Sequence, residues 1–205
     1  DYGSGQVSQN LEPVFNSIRK ARGYDPDWIS IRSTMAPTTK ESVNSITNIP
    51  LIAHPEFLRE EHAVEEAKDP CLTVVGGDPF DTVGYLSEIY PKKFFHNDNR
   101  ELLIITFKEA FWLKYAANIL FATKVIYANQ MKKMFNQVCG NEHRIPDILN
   151  KLDKSFAGRH MNPYHGEKPG FGGKCLPKDT KLWTGRGYEL IDKIVEINEK
   201  LREEQ

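Results

Sequence analysis

LLIITFKEAFWLKYAANILFATKVIYANQMKKMF, residues 102–135, holds the point at which the chain changes character. Its first six residues, 102–107, form an apolar, β-branched run that reads as a buried strand. From Lys108 to about Phe135 there is neither Gly nor Pro, and apolar residues recur at helical spacing. That pattern predicts one long helix of roughly 28 residues, about 42 Å at the α-helical rise. Upstream, helical and strand signals alternate. Residues 8–22 set Leu11, Val14, Phe15 and Ile18 at helical spacing and stop at Gly23. Short β-rich runs follow at 28–32, 49–53 and 72–75, with a helical pattern at 80–90 between the last of these and the strand at 102–107. Strands alternating with helices predict a mostly parallel sheet. Downstream, helical patterns fall at 145–153, 178–183 and 188–203, the last with an apolar stripe of Leu190, Ile194, Ile197 and Leu201 that needs a covering surface. The fold expected is therefore α/β over residues 1–107, followed by a mainly α part over 108–205.

The totals narrow the function classes. The 205 residues are 40% hydrophobic and 27% charged, which is ordinary for a globular chain. A net charge of −1 without a basic, aromatic-studded stripe argues against a nucleic-acid partner. No apolar run reaches the length of a membrane span. No secretory signal is visible, although the sequence opens at Asp1 without an initiator Met, so an upstream segment is allowed for. Three cysteines, at 71, 139 and 175, cannot all pair within one chain, and the six histidines make no zinc-type spacing. A cytoplasmic protein with at least one free thiol and no metal site is the simplest expectation.

Three groups of residues carry chemistry. The stretch PGFGGKCLPKD (169–179) sets Cys175 after Gly170, Gly172 and Gly173, between Lys174 and Lys178, with Asp179 one helical turn further on. Glycines let a ligand approach the main chain, cations beside a cysteine favour the nucleophilic thiolate, and Pro177 suits the first turn of a helix. The same pattern also fits a small buried cysteine in a turn. In the long helix, Lys114 and Asn118 share a face and Asn129 falls near the same line. That arrangement reads equally as a solvated stripe, but the surrounding Phe111, Trp112, Tyr115, Leu120 and Phe121 predict burial, and a buried lysine needs a partner. Finally, HPEFLRE (54–60) places Glu56 and Glu60 four residues apart, which also reads as the acidic first turn of a helix.

The glycine–cysteine stretch closely resembles the G-F-G-G-x-C-x-x-K-D signature of the UDP-glucose/GDP-mannose dehydrogenase family. Three further segments resemble that family in the same order. Lys114–Asn118 with Asn129 resembles its K-x-x-x-N…F-x-N-E helix, with Gln130 in place of Glu. Residues 54–60, with Ala63 and Asp69-Pro70, resemble N-P-E-F-L-R-E-G, with His54 for Asn and Glu61 for Gly. Ser33-Thr34 and Pro37 resemble S-T-V-x-P-G-T, with Met35 for Val and Thr38 for Gly. The resemblance runs over most of the chain and marks homology.

It implies the second half of a Rossmann-like parallel sheet in a partial dinucleotide-binding domain (1–107), then a helical dimerisation domain that carries the cysteine loop (108–205). Enzymes of this kind oxidise the 6-hydroxymethyl group of a nucleotide sugar to a carboxylate with two NAD molecules, through a cysteine thiohemiacetal and thioester. By matching position, Cys175 is the nucleophile, Lys114 and Asn118 stabilise oxyanions, Asp179 orients water and Lys114, Glu56 is the candidate base, and Thr34 helps to place water. Phe57, Leu58, Glu60, Arg159, Gly170, Phe171 and Gly172 line the sugar nucleotide, the loop beginning at Gly166. Ser33, Thr34, Glu60 and Lys178 approach NAD. No G-x-G-x-x-G occurs in the sequence, so against the resemblance the pyrophosphate loop is expected to lie upstream of Asp1 or not to exist, and the segment that completes the nucleotide site is missing too; the expectation is a larger gene product or a second polypeptide that supplies them. Two readings follow: a nucleotide-sugar 6-dehydrogenase working as a homodimer through the long helix, or a truncated, non-catalytic homologue kept for dimerisation.

Overall fold

Short β-branched runs make short strands in the computed structural model, which describes residues 9–59, 62–68, 70, 72–90, 101–140, 144, 148–149, 151 and 164–203. Strands β1 (Ile29–Ile31), β2 (Leu51–Ala53), β3 (Leu72–Gly76) and β4 (Glu101–Ile105) form one sheet in the order β1-β2-β3-β4. β1 and β2 are parallel, with Ile29 opposite Leu51, and β3 and β4 are parallel, with Leu72 opposite Glu101. The two pairs meet antiparallel at Ala53 and Gly76, so the sheet is mixed, with two of its three pairings parallel. Helix α1 (Glu12–Arg22) starts later than its apolar spacing suggests, with Pro13 inside its first turn and the Asn10 side chain accepting from the Glu12 amide at 3.0 Å. A 3-10 turn (Pro37–Thr39) and α2 (Lys40–Asn44) cross from β1 to β2, and α3 (Ala63–Lys68) follows β2. α4 (Pro79–Ile89) crosses from β3 to β4, its Asp78 N-cap accepting from the Phe80 amide at 2.9 Å.

Successive strand residues point to opposite faces, and the core divides accordingly. Ala53 and Val74 join Ile18, Ile31, Val43, Phe107 and Phe111 in one cluster, while Ile52 and Val75 join Tyr85 and Leu86 in another. One expectation is corrected here. Residues 102–107 are not a buried strand: β4 is an edge strand with Leu102, Leu103 and Ile104 at 38–44% exposure, and Phe107 already belongs to the next helix. An apolar run alone does not reveal whether a strand has one neighbour or two.

The long helix α5 spans Phe107–Cys139, 33 residues and about 50 Å. Thr106 and Glu109 cap its start reciprocally. The Glu109 carboxylate accepts from the Thr106 amide at 2.8 Å, and the Thr106 hydroxyl accepts from the Glu109 amide at 3.3 Å. Gly140, at φ +68°, follows its end. Two compact units share the helix, one over Gln9–Lys114 and the other from Tyr115 onward. In the second, a hairpin of β5 (Tyr164–His165) and β6 (Lys168–Pro169) leads through the glycine loop to α6 (Cys175–Lys181), and α7 (Glu189–Glu203) closes the chain. Ala122, Val125 and Ile126 of α5 pack with Phe171, Ile194 and Leu201. The α7 stripe is thus covered at Ile194 and Leu201, whereas Leu190 stays 64% exposed. The helix expected at 145–153 lies for the most part outside the described residues. Among the described residues, no helix is long and apolar enough to cross a membrane.

Candidate active site

Within the first unit, the chain leaves the parallel ends of β1 and β2 as two loops, Arg32-Ser33-Thr34 and His54-Pro55-Glu56. Ser33 is exposed and Thr34 half-buried. Gln9 holds the first loop, donating to the Thr34 carbonyl at 2.6 Å and accepting from the Ala36 amide at 2.8 Å. Glu56 lies in irregular backbone, not on a helix face, and its carboxylate accepts from the Leu58 amide at 2.7 Å. The acidic helix begins only at Ala63, and Glu66 reaches back to the Arg59 amide and guanidinium at 2.7 and 2.6 Å.

Lys114 comes to Glu56 from α5. Its ammonium, 4% exposed as a residue, donates to the Glu56 carbonyl at 2.5 Å and stands 3.3 Å from the carboxylate. The Phe57 ring lies 5.3 Å from that ammonium, so the amine is desolvated on one side and ion-paired on the other. The buried lysine expected from the sequence, and its partner, are both here. Leu58 is half-buried beside them; Glu60 lies outside the described residues.

His54 stands where the family pattern has Asn, and it is 3% exposed. Its Nδ1 is 2.8 Å from the Tyr85 hydroxyl and its Nε2 is 3.2 Å from the Tyr90 hydroxyl, while Ser30 meets Tyr85 at 3.0 Å. A neutral imidazole satisfies this chain, with Nδ1 accepting from Tyr85 and Nε2–H donating to Tyr90. Burial, reinforced by the Arg32 guanidinium, pulls its pKa down to about 4.

Within the second unit, α6 opens at Cys175, a free and exposed cysteine, with Pro177 in its first turn. Asp179 follows on the same face one turn later and is 1% exposed. Its Oδ2 accepts from the Asn118 amide at 2.5 Å. Its Oδ1 lies 3.4 Å from the Lys178 ammonium and has no hydrogen-bond partner, although it is buried. The Tyr115 hydroxyl and the Trp183 indole N–H are also buried without hydrogen bonds, and their rings meet edge-on at 5.5 Å. Burial, and then the Asp179 charge, raise the Tyr115 pKa. A buried carboxylate oxygen without a hydrogen bond among the described residues is uncommon. Asn129 donates to the Val125 carbonyl one turn back at 2.9 Å.

The glycine loop differs from its expected role in one respect. Phe171 is 2% exposed and its side chain is a core residue, so it offers a ligand no ring face. Gly170 and Gly172 are buried as well. Arg159 lies outside the described residues. Asn198 was missed: its side-chain carbonyl accepts from the Phe171 amide at 2.7 Å. The available signal was a polar residue four positions after Ile194, on the apolar side of α7.

Residues 108–200 match the central domain of the UDP-glucose/GDP-mannose dehydrogenase family. The chain is 30% identical to the GDP-mannose 6-dehydrogenase of Pseudomonas aeruginosa over 179 residues, 79% of this chain and 38% of that protein. It is 26% identical to a UDP-glucose 6-dehydrogenase of Bacillus subtilis over 185 residues, 83% of this chain and 38% of that protein. In fold, it resembles a UDP-glucose dehydrogenase from Pyrobaculum islandicum with a TM-score of 0.73 at 24% identity, over 96% of this chain and 48% of that one. The chain therefore spans about two fifths of those curated relatives and about half of that structure.

Proposed function

We propose that this chain, whose residues 108–200 match the central domain of the UDP-glucose/GDP-mannose dehydrogenase family, oxidises the C6 alcohol of a nucleotide sugar to a carboxylate. The observation that carries this reading is the pairing on α6. Cys175 opens the helix, and Asp179, one turn on, is held by Asn118 at 2.5 Å with its other oxygen lacking a hydrogen bond.

The proposed chemistry divides one hard oxidation into steps. The C6 alcohol first loses a hydride and its hydroxyl proton to become the aldehyde; Cys175 Sγ, as the thiolate, then adds to C6 of that aldehyde, forming a C–S bond as the carbonyl electron pair moves to oxygen. The Asn118 amide and the Lys114 ammonium donate to that oxygen, and donors already fixed in a buried setting do so with little reorganisation. After hydride loss the sulfur adduct is a thioester. Water then adds to C6, its proton passes to the Glu56 carboxylate, the C–S bond breaks and the thiolate leaves. Asp179 and Thr34 place that water, and Asp179 also orients Lys114. Phe57, Leu58, Glu60, Arg159 and the Gly166–Gly172 backbone line the sugar nucleotide.

NAD, when bound, accepts hydride from C6. β1 and β2 are parallel, and Ser33, Thr34 and Glu56 follow their carboxyl ends, where dinucleotides bind open α/β sheets. Ser33 and Thr34 therefore suit the nicotinamide end, and on the family resemblance the proposal adds Glu60 and Lys178. With no G-x-G-x-x-G in the sequence they do not supply a pyrophosphate loop. With free thiols at Cys139 and Cys175, the proposed setting is the reducing cytoplasm.

A second reading, a homologue retained for dimerisation, draws on a different observation. Trp112, Leu120 and Tyr127 lie along one side of α5 at 60%, 56% and 44% exposure. An apolar helix face of this kind suits a second copy of the chain, and the enzymatic reading uses the same homodimer. Assay of NADH formation with UDP-glucose and with GDP-mannose separates the two. Turnover supports the enzyme, and absence of both turnover and calorimetric NAD binding supports the dimerisation module.

A further inference from the structure

Glycines before a catalytic cysteine invite the idea that a ligand needs the room. Here the room is taken by protein. A Cβ on Gly170, which sits at φ +85°, would stand 2.5 Å from Asn198 Oδ1 and 3.5 Å from Arg202 Cγ. One on Gly172 would meet the His165 ring at 2.6 Å and Arg202 Nη1 at 3.1 Å, and one on Gly173, at φ +75°, would meet the His165 ring at 3.2 Å. Between these glycines, Phe171 is anchored twice: its ring in the core and its amide on Asn198 at 2.7 Å. Among the described residues Arg202 Nη1 is buried without a hydrogen bond, and Arg202 packs behind the loop. Thus α7 presses from one element and the β5–β6 hairpin from another, and the segment so gripped runs straight into Cys175 at the head of α6.

We propose that Asn198 and Arg202 of α7, with His165 of the hairpin, are positioning residues that fix the Cys175 loop. They act through the loop that leads into Cys175 and so set where the sulfur stands at the head of α6, one turn before Asp179. The proposal rests on the reading of Cys175 as a nucleophile but not on any turnover. A loop released from Asn198 lets the cysteine drift from its place, and misplacement of a reacting group by about 1 Å costs about 100-fold in rate.

The test is site-resolved alkylation of the full chain with iodoacetamide, read by peptide mass spectrometry with the exposed Cys139 as internal reference. In Asn198→Ala the Cys175-to-Cys139 rate ratio falls several-fold, while Cys139 is unchanged. Asn198→Asp, which keeps the acceptor for the Phe171 amide, restores the ratio. Should Asn198→Ala fail to fold by circular dichroism, Arg202→Ala, which removes a contact without breaking a hydrogen bond, gives a smaller shift in the same direction. A ratio unaltered in whichever of these variants folds, or not restored by Asn198→Asp, overturns the proposal. Because the measurement needs neither sugar nor NAD, failure of the dehydrogenase reading shows as absent NADH with the ratio effect intact.

Discussion

A charged side chain on an apolar helix must be solvated, neutralised or paired, and Lys114 is paired. Its burial was legible because Phe111, Trp112 and Tyr115 surround it in sequence, and a buried lysine needs a partner; that the partner is Glu56 was not legible. Asn118 was legible as part of the same line, but its partner was not, since nothing in the spacing says that Asp179 is the group that meets it at 2.5 Å. This pair predicts a stability effect separate from catalysis. Asn118→Ala takes from the buried Asp179 carboxylate the hydrogen bond at its Oδ2 and costs about 1–3 kcal/mol, seen as a lowered calorimetric Tm. His54 carries a pH effect of definite sign. Its folded pKa, about 4, lies below the unfolded value of 6.5, so above the higher value both states are neutral and nothing is lost. As pH falls from 6.5 towards 4, the unfolded chain takes a proton that the folded chain refuses, and stability drops. The full loss is about 3 kcal/mol. Urea titrations between neutral pH and pH 4 detect it, and His54→Asn removes this component of the slope.

At the scale of elements, the alternating pattern upstream and the Gly- and Pro-free run downstream were enough to place the four strands of the main sheet and the long helix, with ends off by a few residues, but not the short β5–β6 hairpin. The misread element, β4, shows what pattern cannot hold: an apolar strand at a sheet edge and one in the middle have the same letters. The glycine loop shows a second limit, because a glycine kept for a ligand and a glycine kept for a packed side chain also look alike. Gly170 and Gly172 are gripped by residues 28 to 32 positions downstream in α7, beyond the reach of any local motif. The start of α5 is built on the same kind of close approach. A Cβ on Gly76 of β3 would lie 2.5 Å from the Thr106 carbonyl and 2.7 Å from Ala110 Cβ. Gly76→Ala is therefore expected to cost about 1–3 kcal/mol by overpacking, measured as a shift in the denaturant midpoint without change in slope.

For the whole molecule, the proposal has two parts, an assembly and a reaction. The exposed line of Trp112, Leu120 and Tyr127 on α5 predicts a dimer in solution. Light scattering after size exclusion is expected to give twice the chain mass, and Leu120→Arg is expected to give the monomer with its circular dichroism retained. The reaction rests on one atom, Cys175 Sγ. An alcohol becomes a carboxylate by losing two hydrides, and without a covalent sulfur adduct the second loss has no thioester to yield. The most direct measurement is therefore NADH formed per nucleotide sugar consumed, with UDP-glucose and GDP-mannose, in the unaltered chain and in Cys175→Ser. The account predicts two NADH and a carboxylate product from the unaltered chain, and no carboxylate from the variant with its assembly intact. A Cys175→Ser protein that still carries the sugar through to the carboxylate, or an unaltered chain that forms no NADH with either sugar, would contradict it.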